Sequence, residues 1–274
     1  MNITAQEYQA FQVFLRKSCG IEMGDNKQYL VKNRLLNILQ AYKLNSLSEL
    51  LVQLNSGVGA VSQLQTQVID AMTTNETFWF RDDAQFQALQ YEVMPEISLQ
   101  KKGAIKIWSA ACSSGQEPYT ISMCVAEWVT AQSGHQNVQI LGTDISDTML
   151  NQARTGIYSE MAIERGLSSQ AYARYFQKVS AGHQLSAEIM RRTRFQKLNL
   201  LQPFVGIGTF DVIFCRNVLI YFSEAIKRDI LQRLIAALEP GGYLFLSSTE
   251  SMPLDLKLVE PVRGQRARYF KKMV

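Results

Sequence analysis

The spacing of apolar residues changes character near Thr73. Before it the spacing is helical: Tyr8, Phe11, Phe14 and Leu15 share one face behind a Thr4/Glu7 capping box, and Gly20 ends that helix. A second helix is predicted from Asp25, with Leu30, Val31, Leu35, Ile38 and Leu39 as its stripe, and a third from Ser46/Glu49, with Leu50, Leu51 and Leu54. Asn55-Ser56-Gly57-Val58-Gly59 breaks the third, and Val61, Leu64, Val68, Ile69 and Met72 form a fourth. From Lys101 onward short apolar runs alternate with helical patterns, which predicts a parallel sheet covered on both faces. Strands are expected at Ile105–Ser109, Val138–Thr143, Arg194–Lys197, Asp211–Cys215 and Tyr243–Ser247. Helices are expected at Pro118–Thr130, Thr148–Arg154 and Ser223–Leu238, the last ended by Glu239-Pro240-Gly241-Gly242. Lys257–Glu260 and Ala267–Lys271 read as a closing antiparallel pair. The alternation fails between Gly156 and Thr193, a stretch too long for an ordinary crossover and read as an inserted subdomain. The expected organisation is therefore a helical domain over 1–73, a linker with a connecting helix over 74–100, and an α/β domain over 101–274 with the insertion at about 156–193.

Composition narrows the classes. With 274 residues and 47% apolar side chains the chain can bury a substantial core. Lys and Arg total 28 against 24 Asp and Glu, a formal charge of +4, which does not call for a nucleic-acid partner. Four scattered cysteines (Cys19, Cys112, Cys124, Cys215) form no Cys-x-x-Cys pair and suggest neither disulfides nor zinc. No leader-like start and no run of the roughly 20 apolar residues that span a membrane is visible, so a cytoplasmic protein is expected. His135 and His183 stand without partners in loop-like stretches and are expected at the surface.

Chemistry gathers at strand ends. Ile105 to Tyr119 is an apolar strand, a turn of small residues (Ala110-Ala111-Cys112-Ser113-Ser114-Gly115) and a helix with Pro118 in its first turn. Such a turn lets a ligand approach the backbone, and open parallel sheets bind ligands beyond the carboxyl ends of their strands. A dinucleotide would require Gly-x-Gly-x-x-Gly, but only Gly115 is present, and no Gly-Lys-Ser/Thr phosphate loop occurs. A ligand with adenine and ribose but no phosphate fits better, S-adenosylmethionine being the common one. Asp144, closing the run Val138 to Thr143, is the expected ribose ligand because a carboxylate accepts hydrogen bonds from both hydroxyls. Taken singly, Thr143-Asp144 also reads as a helix cap and Asn217 as a turn residue; their order and spacing together favour a site.

The ordered motifs Thr73-Thr74-Asn75-Glu76-Thr77-Phe78-Trp79-Phe80-Arg81, Trp108 to Tyr119, Gly142-Thr143-Asp144-Ile145-Ser146, Asn199-Leu200-Leu201 and Phe214-Cys215-Arg216-Asn217-Val218-Leu219-Ile220-Tyr221-Phe222 resemble the CheR-type chemotaxis receptor methyltransferases over nearly the whole chain. The resemblance implies a class I S-adenosylmethionine-dependent methyltransferase fold (Rossmann-like, mostly parallel sheet) with a small all-α N-terminal domain and a small inserted β-subdomain. It implies methylation of glutamate side chains on cytoplasmic helices of chemoreceptors, leaving S-adenosylhomocysteine as product. By motif, Asn75, Thr77, Arg81, Ala110, Glu117, Asp144, Asn199, Leu200, Arg216 and Asn217 would contact the cofactor, and Arg81 and Tyr221 would face the reacting centre; no metal is implied. Arg81 otherwise reads as a linker ion pair with Asp82 or Asp83, and Tyr221 as a half-buried aromatic.

Lys27, Lys32, Arg34 and Lys43 are expected to form a basic face toward acidic receptor helices, although scattered lysines are also normal on a solvated helix. In some members of the family the inserted subdomain binds a receptor tail peptide by adding a strand. The Gly-x-Gly turn expected there is missing around Tyr172 to His183, which predicts an enzyme that works without the tail; a monomer is expected. Other readings are a nucleic-acid methyltransferase, against which Phe214-Cys215-Arg216-Asn217 supplies neither Asn/Asp-Pro-Pro-Tyr/Phe nor Pro-Cys, and a signalling module that binds the cofactor without turnover.

Overall fold

The computed structural model describes residues 2–55, 63–132 and 136–273. Four helices come first: α1 (Ala5–Cys19), α2 (Gln28–Ala41), α3 (Leu47–Asn55) and α4 (Gln63–Met72). The Thr4/Glu7 capping box forms, and Gly20 caps α1 in the left-handed region at φ 77°. A side chain there would press on Leu201 and Phe222, so the glycine also lets the helical domain approach the α/β domain. Ser46 accepts the Glu49 N–H at 3.1 Å, as expected for the start of α3. The expected start of α2 is corrected: the helix begins at Gln28 with no side-chain cap, because Asn26 takes a left-handed turn (φ 64°) between Asp25 and the helix. Residues 56–59, Val61 and His135 lie outside the described residues.

The linker leads into α5 (Ala84–Ala88), a π turn at Leu89–Val93 and α6 (Met94–Gln100). Then follow β1 (Ile105–Ala110), α7 (Gln116–Ala131), β2 (Val138–Asp144) and α8 (Asp147–Thr155). The insertion contains β3 (Ile157–Tyr158), α9 (Glu160–Glu164), α10 (Ser169–Tyr175), β4 (Phe176–Val179), β5 (Gly182–Leu185) and α11 (Ala187–Met190). The chain continues through β6 (Thr193–Lys197), β7 (Phe210–Cys215), α12 (Glu224–Ala236), β8 (Leu238–Phe245), β9 (Val259–Arg263) and β10 (Arg268–Lys272).

Seven strands form one sheet in the order β6-β2-β1-β7-β8-β10-β9, parallel through β8 and then antiparallel. The chain order reverses between β1 and β7, which opens a crevice at their carboxyl ends. Each face of the sheet is buried separately. Ile105, Ile107, Val212, Phe214 and Phe245 pack under α5, α6 and α7. Trp108, Ile213, Cys215 and Leu244 pack under α12 through Ile230, Leu231, Leu234 and Ile235. Glu239 to Gly242 do not end α12 as expected. They bulge within β8, where the register with β7 jumps from Phe210/Leu238 to Val212/Tyr243 and Gly241 takes φ 74°.

The insertion carries its own antiparallel sheet, β3-β5-β4, in which β4 and β5 turn through Ser180-Ala181. Tyr172 to Tyr175 are helical, belonging to α10. His183 is not at the surface: it is buried on β5, its Nδ1 2.9 Å from the Tyr172 hydroxyl and its Nε2 2.8 Å from Glu160. A four-residue strand is too short for its inward positions, His183 and Leu185, to show as a pattern. The four cysteines are buried and free, and desolvation pushes the Cys19 thiol up to about 11. Among the described residues no helix is long and apolar enough to cross a membrane, and no cluster of side chains suits a metal ion.

The insertion also anchors the linker. Trp79 is fully buried, edge-on to Tyr158 and Phe176 at 4.8 and 5.3 Å, and its backbone N–H donates to the Arg165 carbonyl at 3.2 Å. Gly166, at φ 87°, packs directly on the Trp79 carbonyl, where a Cβ would collide. Gly166→Ala should therefore cost about 1–3 kcal/mol of stability, read as a lower denaturation midpoint at unchanged m-value.

Candidate active site

The crevice beyond β1 and β7 holds a cleft of about 260 Å³, lined by the loop after α1, the linker, the turn after β1, and the ends of β2, β6 and β7. The backbone in and beside it is unusual. Phe80, Asp82, Ala111, Ser113 and Asn217 all have positive φ, between 50° and 60°, although none is glycine. Conformations of this kind persist only where surrounding contacts impose them, and they collect at functional sites.

Asp144 closes β2 and faces this space. It is 6% exposed, and its two oxygens accept the Ser113 and Ser146 N–H groups at 2.8 and 2.9 Å. Burial raises its pKa, and those backbone donors partly oppose the rise. Each oxygen retains acceptor capacity toward the cleft, as a ribose diol requires. Ser113 also donates through Oγ to the Asn75 carbonyl at 2.9 Å, tying the small-residue turn to the linker.

Glu117 stands in the first turn of α7, where the helix dipole favours a carboxylate. It accepts from Ser109 Oγ at 2.7 Å and from Arg216 at 2.7 Å. Arg216 joins three segments of the site. Its guanidinium, 1% exposed, donates to Glu117, to Asp82 at 2.8 Å and to the Arg81 carbonyl, while Nε has no partner. These bonds join β7, α7 and the linker.

Ten of the eleven residues expected at cofactor or reacting centre line this one cleft: Asn75, Thr77, Arg81, Glu117, Asp144, Asn199, Leu200, Arg216, Asn217 and Tyr221. Ala110 does not; it is buried in the core under α12, and the lining begins with Ala111. Several of the ten also bond within the protein. Arg216 and Glu117 share an ion pair, and Asn199 donates to the Ser18 carbonyl at 2.8 Å and accepts from Leu201 N–H at 3.0 Å, linking the domains. Asn75, Thr77 and Asn217 have no side-chain partner among the described residues. The alternative ion pair of Arg81 with Asp82 or Asp83 is not formed: Asp82 pairs with Arg216, and Arg81 donates to the Glu76 carbonyl at 3.0 Å, 5.4 Å from the Phe78 ring. Tyr221 ends a 3₁₀ turn (Leu219–Tyr221), its carbonyl accepting Glu22 N–H at 2.9 Å.

The expected basic face divides. Lys27 and Arg34 line the cleft, whereas Lys32 and Lys43 are exposed outside it. Arg34 turns inward, donating to the Met72 carbonyl at 2.7 Å and to Thr73 and Thr74 at 3.2 Å, and so holds the start of the linker. Ser109, Ser113 and Asp82 were not anticipated as site residues. Ser109 and Ser113 stand in the small-residue segment, but their partners are distant in sequence, and Asp82 shows no signal beyond its charge.

The donor set suits S-adenosylmethionine. The carboxylates of Glu117 and Asp144 offer acceptors for hydroxyl and cationic groups, apolar walls of Phe78, Ile145, Leu198 and Phe222 suit an adenine ring, and the turn lacks the glycines of a pyrophosphate cradle. Fold and site together define an S-adenosylmethionine-dependent methyltransferase. The chain belongs to the CheR methyltransferase family: residues 6–73 match its all-alpha domain and residues 75–268 its SAM-binding domain. It is 45% identical over 250 residues to chemotaxis protein methyltransferase Cher2 of Pseudomonas putida, covering 90% of each chain. It is 44% identical over 256 residues to chemotaxis protein methyltransferase 1 of Pseudomonas aeruginosa, covering 92% of each. The protein named chemotaxis protein methyltransferase 1 of Vibrio cholerae is 44% identical over 254 residues, 92% of this chain and 91% of its own.

Because Arg216 compensates two carboxylates while buried, Arg216→Met should cost about 3–5 kcal/mol of stability in chemical denaturation without any ligand present. An arginine that served only the cofactor would leave the stability of the free protein unchanged.

Proposed function

We propose that this methyltransferase esterifies glutamate side chains on the cytoplasmic helices of chemoreceptors, working in the cytoplasm as a monomer without nucleic acid. One observation carries the choice of a carboxylate substrate. Arg81, a cleft cation with no ion-pair partner among the described residues, lines the same space as Tyr221, and none of the described residues lining it is a histidine. A carboxylate needs a cation and a hydrogen-bond donor to orient it, and it needs no base. With a reference pKa of about 4.3, a glutamate is already ionised at neutral pH.

Bound S-adenosylmethionine supplies a methyl group on a positively charged sulfur. Asp144 would accept the ribose hydroxyls, and Asn75, Thr77 and Asn217 offer uncommitted polar groups to the rest of the molecule. Carboxylate and sulfonium become a neutral ester and a thioether, so a cleft that excludes water favours the reaction. Alignment supplies the remainder, and effective molarities for well-oriented groups reach about 10⁵ M or more. Arg81 would be shared between the substrate and the cofactor's own carboxylate, because a tight bidentate pair would hold the nucleophile at the expense of its reactivity.

Receptor helices would approach over the helical domain, where Lys27 stands at the cleft and Lys32 is exposed nearby on α2, giving salt-sensitive steering. The two-residue turn between β4 and β5 supports an enzyme that needs no receptor tail peptide. Receptors with and without their tails should then accept methyl groups at equal rates, and measurable affinity for an aromatic tail peptide would reverse that reading.

Calorimetry with S-adenosylmethionine, followed by base-labile methanol release from chemoreceptor membranes, tests the assignment. Each hydrogen bond to a charged group contributes about 1.5–3 kcal/mol, so Asp144→Ala should weaken cofactor binding by about 100-fold or more. Tyr221→Phe should leave cofactor affinity unchanged and slow transfer; equal loss of both would remove Tyr221 from the reacting centre.

A further inference from the structure

Glu250 follows β8 and does not line the cleft, yet its carboxylate is the most heavily hydrogen-bonded in the α/β domain. Oε2 accepts the Asn217 N–H at 2.9 Å, the Ser247 N–H at 3.0 Å and the Ser247 hydroxyl at 2.7 Å. Oε1 accepts the Val218 N–H at 3.0 Å and the Leu219 N–H at 2.8 Å. Three consecutive backbone amides thus converge on one carboxylate, an anion nest filled by the chain's own side chain. Those amides belong to the loop that carries Asn217, Val218, Tyr221 and Phe222 to the cleft. Asn217 is held at φ 57°, and Leu219 begins the 3₁₀ turn that ends at Tyr221. Short helical turns leave their first N–H groups without internal acceptors, and Glu250 provides the acceptors here.

We propose that Glu250 is a positioning residue for methyl transfer: by clamping the N–H groups of 217–219 it sets where Asn217 and Tyr221 stand in the cleft. The proposal rests on the methyl-transfer reading above. A reaction without a general base depends on alignment, so loosening this clamp reaches the rate even though Glu250 touches neither substrate nor cofactor. Glu250→Gln keeps the size of the side chain, but each carboxylate oxygen accepts at least two donors. In either amide orientation the new NH₂ therefore faces backbone N–H groups, and the loop must shift.

The test measures methanol release from methylated chemoreceptor membranes, with calorimetric affinity for S-adenosylmethionine and thermal unfolding on the same samples. In Glu250→Gln, kcat should fall about 10- to 100-fold, with a much smaller change in cofactor affinity. Ser247→Ala removes the hydroxyl donor from the clamp but keeps its backbone N–H and the carboxylate, and should lower kcat about 2- to 10-fold with little change in melting temperature. A folded Glu250→Gln with wild-type kcat overturns the proposal, as does loss of rate and cofactor affinity by the same factor. If Glu250→Gln does not fold, Ser247→Ala decides, and unchanged kcat there overturns it. Absence of transfer by the wild-type protein in the same assay would instead overturn the methyl-transfer reading.

Discussion

A guanidinium buried at the end of a sheet strand holds the active cleft together. Arg216 reaches from β7 to Glu117 on α7 and to Asp82 and the Arg81 carbonyl in the linker. A buried charge of this kind adds little net stability compared with an apolar replacement of both partners, but losing either partner leaves the other uncompensated. Its effect is geometric. The planar, multidentate guanidinium fixes three segments far apart in sequence at set distances, and the linker's left-handed residues Phe80 and Asp82 are held beside it.

The surrounding contacts act in the same direction. Ser113 ties the small-residue turn to Asn75, Arg34 holds Met72 to Thr74, Asn199 reaches Ser18, and the insertion grips Trp79. Together these contacts join the sheet, the linker, the insertion and the helical domain to one another. A reaction whose nucleophile is already charged has no use for a general base, and the structure accordingly invests in position. Its ionisable side chains in the cleft orient, pair and exclude water.

Much of the fold is legible along the chain because it depends on local periodicity. The Thr4/Glu7 cap, the Gly20 stop, the apolar stripes of α1 to α4 and the five core strands follow from side chains three, four or two positions apart. Misreadings arise where local signals compete. Asp25 is a good cap by type, but the left-handed turn at Asn26 puts it outside α2. Pro240-Gly241-Gly242 is good turn chemistry, yet pairing with β7 absorbs it as a bulge within β8. His183 in a polar, tyrosine-rich stretch reads as exposed until β5 and Glu160 enclose it.

The candidate site was legible as residue types at strand ends, since Asp144, the small-residue turn and Asn217 must fall near one another wherever β1, β2 and β7 are parallel neighbours. What those side chains do there was decided by tertiary structure. Arg216 pairs with Glu117 and Asp82, Asn199 bonds to Ser18 and Arg34 to the start of the linker, and these partners come from 38 to 181 positions away in the sequence. The sequence by itself determined the elements, their order and the chemistry at their ends, all of which follow from interactions within a few residues. Only the folded chain decided which charges meet, because a buried charge takes whichever partner packing brings within reach.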